Sequence, residues 1–470
     1  MTDPVFASPG ERVLPTLNPD GTRRWLNPKR SPGKFLFHRT WVGWSLIVVF
    51  VALPWVTING RPAIWLNLPA REFTFFGKVF ISTDTFVLML TLLTIFVSIF
   101  LLTAALGRVW CGWGCPQTVY MELLFRPVEQ ALDRWRRTGH GRLRAPLSKA
   151  VKYALFFVFS IALAHTFLAY FVGVEALQVW ITRSPLEHPG PFLVMAGTVG
   201  LMLFDFGYFR EQMCTVICPY ARLQSALLDR DSLVVGYDPR RGEPRGKGAV
   251  KEIRGKTTER NFGDCIDCGA CVHTCPTGID IRDGLQLECI GCAQCIDACD
   301  RIMDKVGAPR GLVRYSSQRS LETGRLGGFL RLRTVLYPVI LIGLVTALTL
   351  VIGGTQGVDI ELLRNPGAPF TLDANDRVQS PIRLRITNRE NQAARYTISL
   401  VDESDIELLA PINPFPIDAH RTDSTTLFVF APRDSFIDGS REIQIRVEGN
   451  NGSLDEESFS LLGPLEKASP

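Results

Sequence analysis

CIDCGACVHTCP, residues 265–276, and CIGCAQCIDACD, residues 289–300, decide how this chain is built. Each run spaces four cysteines as C-x2-C-x2-C-x3-C. Thiolates this close in sequence can wrap compact iron–sulfur cubes, and in two-cluster ferredoxins the fourth Cys of each run ligates the other run's cluster. The spacing therefore predicts Cys265, Cys268, Cys271 and Cys299 around one [4Fe–4S] cluster, and Cys289, Cys292, Cys295 and Cys275 around a second. Structural zinc sites instead pair C-x2-C half-sites across a longer gap and offer four ligands per ion. Pro276 follows the first run, whereas Asp300 stands where the second run would carry proline. That departure loosens the local turn and leaves the ligand count intact.

Around this segment lie long uncharged stretches. Trp41–Ile58, Phe86–Leu106, Tyr153–Val174 and Thr334–Ile352 can each cross a bilayer, and Pro191–Phe209, with Asp205 near one end, is a fifth candidate; a span takes roughly 17–25 residues. The first apolar run begins behind many charges, so it reads as an anchor and not a cleavable signal. Arg12, Arg23, Arg24, Lys29, Arg30, Lys34 and Arg39 precede it, and Arg134, Arg136, Arg137, Arg142 and Arg144 crowd the loop after the second span. By the positive-inside rule the N-terminus is cytoplasmic and five spans export the C-terminus. The net charge of +5 (51 Lys+Arg against 46 Asp+Glu) is then a topology signal. These arginines flank spans and form no single stripe, which argues against nucleic acid as a partner. All twelve cysteines fall on the cytoplasmic side or its membrane boundary, as suits reduced thiols and metal ligands.

The expected organisation is a multi-domain membrane protein: a loose cytoplasmic arm at 1–40, a four-span membrane domain of two hairpins at 41–209, and a cytoplasmic segment at 210–333. The last holds a ferredoxin-like core at about 257–305, preceded by a Gly/Arg/Lys-rich linker, Asp238–Lys256. A fifth transmembrane helix at 334–352 leads to a periplasmic domain at 353–470. There Ile382, Leu384 and Ile386, then Tyr396, Ile398 and Leu400, then Ile443, Ile445 and Val447 alternate with the period of half-buried strands. That pattern predicts an antiparallel, immunoglobulin-like β-sandwich, serving as a partner-binding or stability module.

The other four cysteines form an internal repeat. Cys111-Gly-Trp-Gly-Cys115-Pro116 follows the second span and Cys214-Thr-Val-Ile-Cys218-Pro219 the fourth. Both are C-x3-C-P and both precede an amphipathic stretch, as in a tandem duplication. Proline after the second Cys suits the first position of a helix, where a thiol's pKa would be lowered. Either pair could grip a soft ion such as Cu(I), and the two hairpins could unite all four sulfurs. Soft-metal ligands, a dithiol couple and the edge of a quinone site all remain open readings. Buried cysteines behaving as small hydrophobes are the bland alternative.

Smaller signals are His165 inside the third span, read as a hydrogen-bonded interior histidine, and Asp205, with Arg108 or Arg210 as expected partners. Asp264, Asp267, Glu288, Asp297 and Asp300 surround the cluster runs, either lowering the cluster potentials or lying on a solvated surface. Without a Walker loop or Rossmann glycines, nucleotide cofactors are not expected.

RVWCGWGCPQTVYMELLFRPVE at 108–129, the second C-x3-C-P, the cluster runs and the β-patterned tail together resemble the CcoG/FixG/RdxA family of cytochrome c oxidase accessory proteins. The resemblance implies a membrane iron–sulfur oxidoreductase of the bacterial inner membrane, multi-pass, carrying two [4Fe–4S] clusters. It further implies reduction of Cu(II) to Cu(I) for assembly of a cbb3-type oxidase. The partners would be a cytoplasmic electron donor, the oxidase or its copper-delivery factors, and a second copy if the chain oligomerises. On that reading Cys111, Cys115, Cys214 and Cys218 are the copper-handling or redox thiols. A quinol dehydrogenase-type electron-transfer subunit and a non-catalytic scaffold or copper carrier are the competing functions.

Overall fold

The computed structural model describes residues 15–137, 144–246, 262–324, 331–354 and 357–464, apart from positions 19, 21, 59, 70, 71, 82–84, 366, 374, 375, 391, 402–404 and 420. The chain divides into two compact units, one holding residues up to 347 other than 77–81, the other holding 77–81 with everything from 348.

Among the described residues, five helices are long and apolar enough to cross a membrane: Lys34–Trp55, Thr85–Leu106, Pro146–Val172, Pro189–Phe209 and Leu332–Gly353. Their surfaces expose Val48, Leu88, Ile95, Leu193, Leu201 and Ile342, apolar side chains that suit lipid and not water. The first helix starts at Lys34, earlier than the hydropathy of Trp41 onward suggests. Its start is fixed from the cluster segment. The buried carboxylate of Asp297 accepts the Phe35 and Leu36 N–H groups at 3.1 and 2.7 Å. Those are orphan donors of a helix end, where negative charge is stabilising. Asp297 therefore belongs to a buried cap and not to the expected solvated surface.

The third and fourth helices pack side by side against the segment that follows the first C-x3-C-P. There Phe125 stacks on Phe206 with ring centres 4.2 Å apart and meets Phe156 edge-on at 4.8 Å. Residues 22–33 are not the loose arm expected from composition. Leu26 is buried, Lys29 N–H donates to the His273 carbonyl at 3.0 Å, and Thr274 Oγ1 donates to the Lys29 carbonyl at 2.7 Å. The arm's arginines supply the reason, because Arg23 and Arg30 reach buried acceptors on the hairpins. Part of the expected linker is likewise built in. Asp238 caps the turn Pro239–Gly242 and Arg241 pairs with Asp264 at 2.5 Å. Residues 247–256 lie outside the described residues.

The cluster segment closes on itself through the antiparallel pair Val234–Tyr237 and Val313–Ser316 and the helix Gln294–Val306. Val235, Ile279, Ile281, Ile296, Met303 and Leu312 form its core among the cysteines.

The second unit is a sandwich of two antiparallel sheets. One orders strands Glu407–Leu409, Thr422–Pro432, Arg377–Asn388 and Val358–Arg364, with Thr371–Leu372 added to Arg377–Asn388; the other orders Phe415–Ile417, Ala394–Leu400, Ser440–Gly449 and Leu454–Leu462. Ile382, Leu384 and Ile386 face Tyr396, Ile398, Ile443, Ile445 and Val447 in a single buried core. The alternation read from the sequence is the inward face of both sheets.

Candidate redox site

The two cysteine runs fold as copies of one turn. Asp267 and Gly269 in the first run adopt positive φ (54° and 65°), and Gly291 and Ala293 take the same places in the second (67° and 60°). Left-handed residues between successive cysteines wrap the chain tightly enough to present all of them to one centre. The runs then exchange their ends. Cys275, from the first run, lines one cavity with Cys289, Cys292 and Cys295, and Cys271 borders the same space. Cys299, from the second run, lies within electrostatic reach of Cys271 and Cys265.

Burial pushes the thiols of Cys271, Cys292 and Cys299 up to about 12. Backbone N–H groups of Gly291, Gln294 and Val313, aimed at Cys289, Cys292 and Cys299, pull the other way. Several thiolates in so dry a place need a cationic centre to offset their charge. A soft donor set of this kind fits an iron–sulfur core.

The C-x3-C-P turns also come together. Cys214 lies within electrostatic reach of Cys111, Cys115 and Cys218, and Cys115 within reach of Cys218. Cys111 and Cys214 pack with Ile290, Cys292 and Tyr220 in one buried cluster, so the repeated turns stand against the second cysteine run. Cys115 and Cys218 each precede a helix, Pro116–Tyr120 and Pro219–Leu227, with proline at its first position. The expected lowering of a thiol pKa there is not what the surroundings produce at Cys115. Burial raises it and outweighs the Gln117 and Thr118 N–H groups. Burial likewise lifts Cys111 to about 11 and Cys214 to about 12. The Cys111 thiol donates to Gln224 Oε1 at 2.9 Å, and Gln224 Nε2 donates to Tyr220 Oη at 2.7 Å and Thr103 Oγ1 at 3.3 Å. Among the described residues, no three His, Cys, Asp or Glu side chains already stand in coordination geometry.

Close backbone approach locks the first turn to the second run. A Cβ on Gly112 would sit 2.7 Å from Cys292 Cα and 2.7 Å from the Ile290 carbonyl oxygen, so only glycine fits. Trp113 Nε1 donates to Tyr315 Oη at 3.1 Å, and Tyr315 Oη donates to the Gly291 carbonyl at 2.7 Å.

A buried ionic network holds both turns in place. Arg39 Nε donates to the Gly112 carbonyl at 2.6 Å. Arg126 pairs with Glu122, with Glu211 at 3.5 Å, and donates to the Pro276 carbonyl at 3.3 Å. Arg210 pairs with Glu129 at 2.7 Å. Burial alone would raise the Glu122 carboxyl, but Arg126, Arg39 and Arg30 around it hold it below the usual carboxylate range. The sequence signals for this network were the isolated Arg39 at the edge of an apolar run and the i,i+4 pair Glu122–Arg126, which the motif reading passed over.

Asp205 meets Gln117, and neither expected arginine partners it. Arg210 is held by Glu129, and Arg108 donates to the Leu287 carbonyl. His165 Nδ1 lies 2.8 Å from the Ile161 carbonyl one helical turn back, as an interior histidine should. Of the acidic residues beside the runs, Asp264 and Asp267 are tied to Arg241 and Arg282, each at 2.5 Å. Asp300 accepts the Gly311 N–H at 2.9 Å.

Comparison with known proteins agrees with this architecture. Residues 209–318 match a 4Fe–4S dicluster domain, residues 88–138 a 4Fe–4S binding domain, and residues 349–464 the Ig-like fold at the C-terminus of FixG. Protein RdxB of Cereibacter sphaeroides is 36% identical over 429 residues, covering 86% of this chain and 88% of that protein. Protein RdxA of the same organism is 31% identical over 458 residues, 90% of this chain and 93% of the relative. The chain belongs to the FixG/RdxA/RdxB family. Nitrogen fixation protein FixG of Rhizobium meliloti is 36% identical over 307 residues, 63% of this chain and 57% of FixG. The family member described here is thus an oxidoreductase-type iron–sulfur protein of electron transfer, with five apolar helices for a membrane and a C-terminal Ig-like domain. The 4Fe–4S match at 88–138 spans the first C-x3-C-P.

Proposed function

We propose that this chain is a cupric reductase of the bacterial inner membrane, with its N-terminus cytoplasmic and its Ig-like domain periplasmic, delivering Cu(I) for assembly of a cbb3-type oxidase. Cys265, Cys268, Cys271 and Cys299 would hold one [4Fe–4S] cluster; Cys289, Cys292, Cys295 and Cys275 would hold the other. Bound there, each cluster supplies a one-electron redox centre. Cys111, Cys115, Cys214 and Cys218 receive the copper. The reading is carried by one observation: both C-x3-C-P turns meet beside the second run, with Gly112 packed directly on Cys292.

The chain's own residues then have defined work. Thiolate ligands favour Cu(I) over Cu(II), so binding at the four cysteines drives the uptake of one electron per ion. Gln224 fixes the Cys111 thiol, and the Arg39–Gly112 contact holds the turn at short range from Cys292. Burial of the group keeps water from competing for the ion.

An anaerobic titration tests this. The full-length protein is reduced, freed of excess reductant and given Cu(II) while its visible cluster absorbance is followed. Stoichiometric reoxidation with Cu(I) appearing, slowed in the Cys111→Ser/Cys115→Ser double variant with intact clusters, is expected. Clusters that stay reduced in the presence of Cu(II) would overturn the assignment and leave a scaffold or copper carrier.

A further inference from the structure

A cavity of about 290 Å³ lies beside Cys289, and the chemistry above gives it no occupant. Leu228, Leu233 and Leu287 give it apolar walls, Arg108, Asp229 and Arg230 are its charged groups, and Cys289 touches it directly. We propose that it receives the head group of a membrane quinol, which supplies the electrons. The inference rests on the electron-transfer reading above and names the donor that reading leaves open.

Four observations carry it. The first is size: ligand pockets run from roughly 300 to 1,000 Å³, so this space takes a single substituted ring and not a dinucleotide. The second is level. The second apolar helix ends at Leu106, just before Arg108, and Arg331, immediately before the fifth helix, donates to the Ala104 carbonyl at 3.3 Å and pairs with Asp229 at 2.5 Å. The cavity therefore sits where two spans end, at the depth a lipid-dissolved quinol reaches. The third is an apolar mouth: Leu287 lines the cavity yet is 49% exposed. The fourth is an unpartnered donor. Arg108 is 6% exposed, its Nη1 donates to the Leu287 carbonyl, and its Nε has no hydrogen-bond partner among the described residues. A buried guanidinium N–H left unpaired is costly, and a quinol oxygen would satisfy it.

The step balances. The quinol's two O–H bonds break, two protons leave to water and the quinone departs. Its two electrons pass singly to the two clusters, and each then reduces one Cu(II) to Cu(I).

The test uses the full-length protein with its clusters, in lipid nanodiscs without oxygen. Decylbenzoquinol is the electron donor and decylbenzoquinone the acceptor for the reverse reaction. Leu233→Trp and Leu228→Trp fill the cavity, and Arg108→Gln removes the free N–H. Quinol oxidation and the reverse reaction should fall at least tenfold in the Trp variants, while iron content and reduction by dithionite stay unchanged. In the wild type an azido-benzoquinone should label peptides containing Leu228–Leu233 or Leu285–Cys289, with decylbenzoquinol competing. Wild-type quinone rates in folded Trp variants, or label that falls elsewhere or is not competed, would overturn the proposal. If the Trp variants fail to fold, the wild-type labelling decides alone. Cu(II) reoxidation of dithionite-reduced protein reads the copper assignment separately, so either idea can fail without the other.

Discussion

The two C-x3-C-P turns are alike in sequence and unlike in the structure. The first, Val109–Trp113, is an ordinary helical turn that buries Cys111, lays Gly112 on the backbone of Cys292 and anchors Trp113 to Tyr315. The second, Met213–Ile217, is a wider π-type turn with Thr215 where the first has Gly112, and it exposes Val216 and Ile217. The two turns offer equivalent pairs of thiols, and Cys111 and Cys214 both pack by Cys292, but only the first turn is locked to the second cysteine run by backbone approach. The lesson is a division of labour. On the copper reading proposed above, the first turn would be the fixed half of the site, held by Gly112 and Trp113, and the second, which lacks those contacts, would supply the other pair of thiols.

The comparison can be broken most forcefully at the network that fixes the first turn. Glu122→Gln should leave Arg126, Arg39 and Arg30 without their shared buried counter-charge, costing about 3–5 kcal/mol; thermal unfolding in detergent reads it. The sign with pH follows from the same carboxyl. Because its folded pKa lies below the usual value, its stabilisation is complete above about pH 4.3. It is lost as pH falls through the lower folded value. Wild-type stability should therefore drop more steeply in acid than that of Glu122→Gln.

Next is Gly112→Thr, which copies the second turn into the first and forces a Cβ against Cys292. It should cost about 3 kcal/mol or more and lower the iron bound per chain. The reverse exchange, Thr215→Gly, should cost no more than about 1 kcal/mol. Equal tolerance at both positions would erase the distinction between the turns.

Removing thiols from either turn, as Cys111→Ser or Cys214→Ser, should slow Cu(I) formation by more than the roughly 10–100-fold that loss of a ligand's outer-shell partner costs. The smallest effect is expected at Gln224→Leu. It deletes the partner of the Cys111 thiol and should reduce the rate a few-fold, in keeping with about 1 kcal/mol for one hydrogen bond.

Much of this molecule was legible before its structure. The cysteine spacing named the iron–sulfur chemistry because cluster ligation demands a fixed rhythm of thiols, and the strand residues Ile382 to Ile386 gave away the sandwich through their two-residue period. Five spans were visible as apolar runs. The contacts that assemble the site were not legible. Asp297 capping a helix 262 residues earlier in the chain, Arg39 holding Gly112, and the arm at Lys29 bonded to His273 all join segments far apart in sequence. Such contacts leave no periodic trace. The Cys115 thiol follows the same logic: the motif shows the helix N-terminus that lowers its pKa and conceals the burial that raises it.

The central claim is that two turns build one copper site. Its most direct measurement is Cu(I) bound per chain, by anaerobic equilibrium dialysis against a Cu(I) chelator, in the wild type and in the Cys111→Ser/Cys115→Ser and Cys214→Ser/Cys218→Ser double variants. A shared site predicts one ion in the wild type and none held tightly in either variant. Two ions in the wild type, with one retained in each variant, would contradict the claim and make the turns independent.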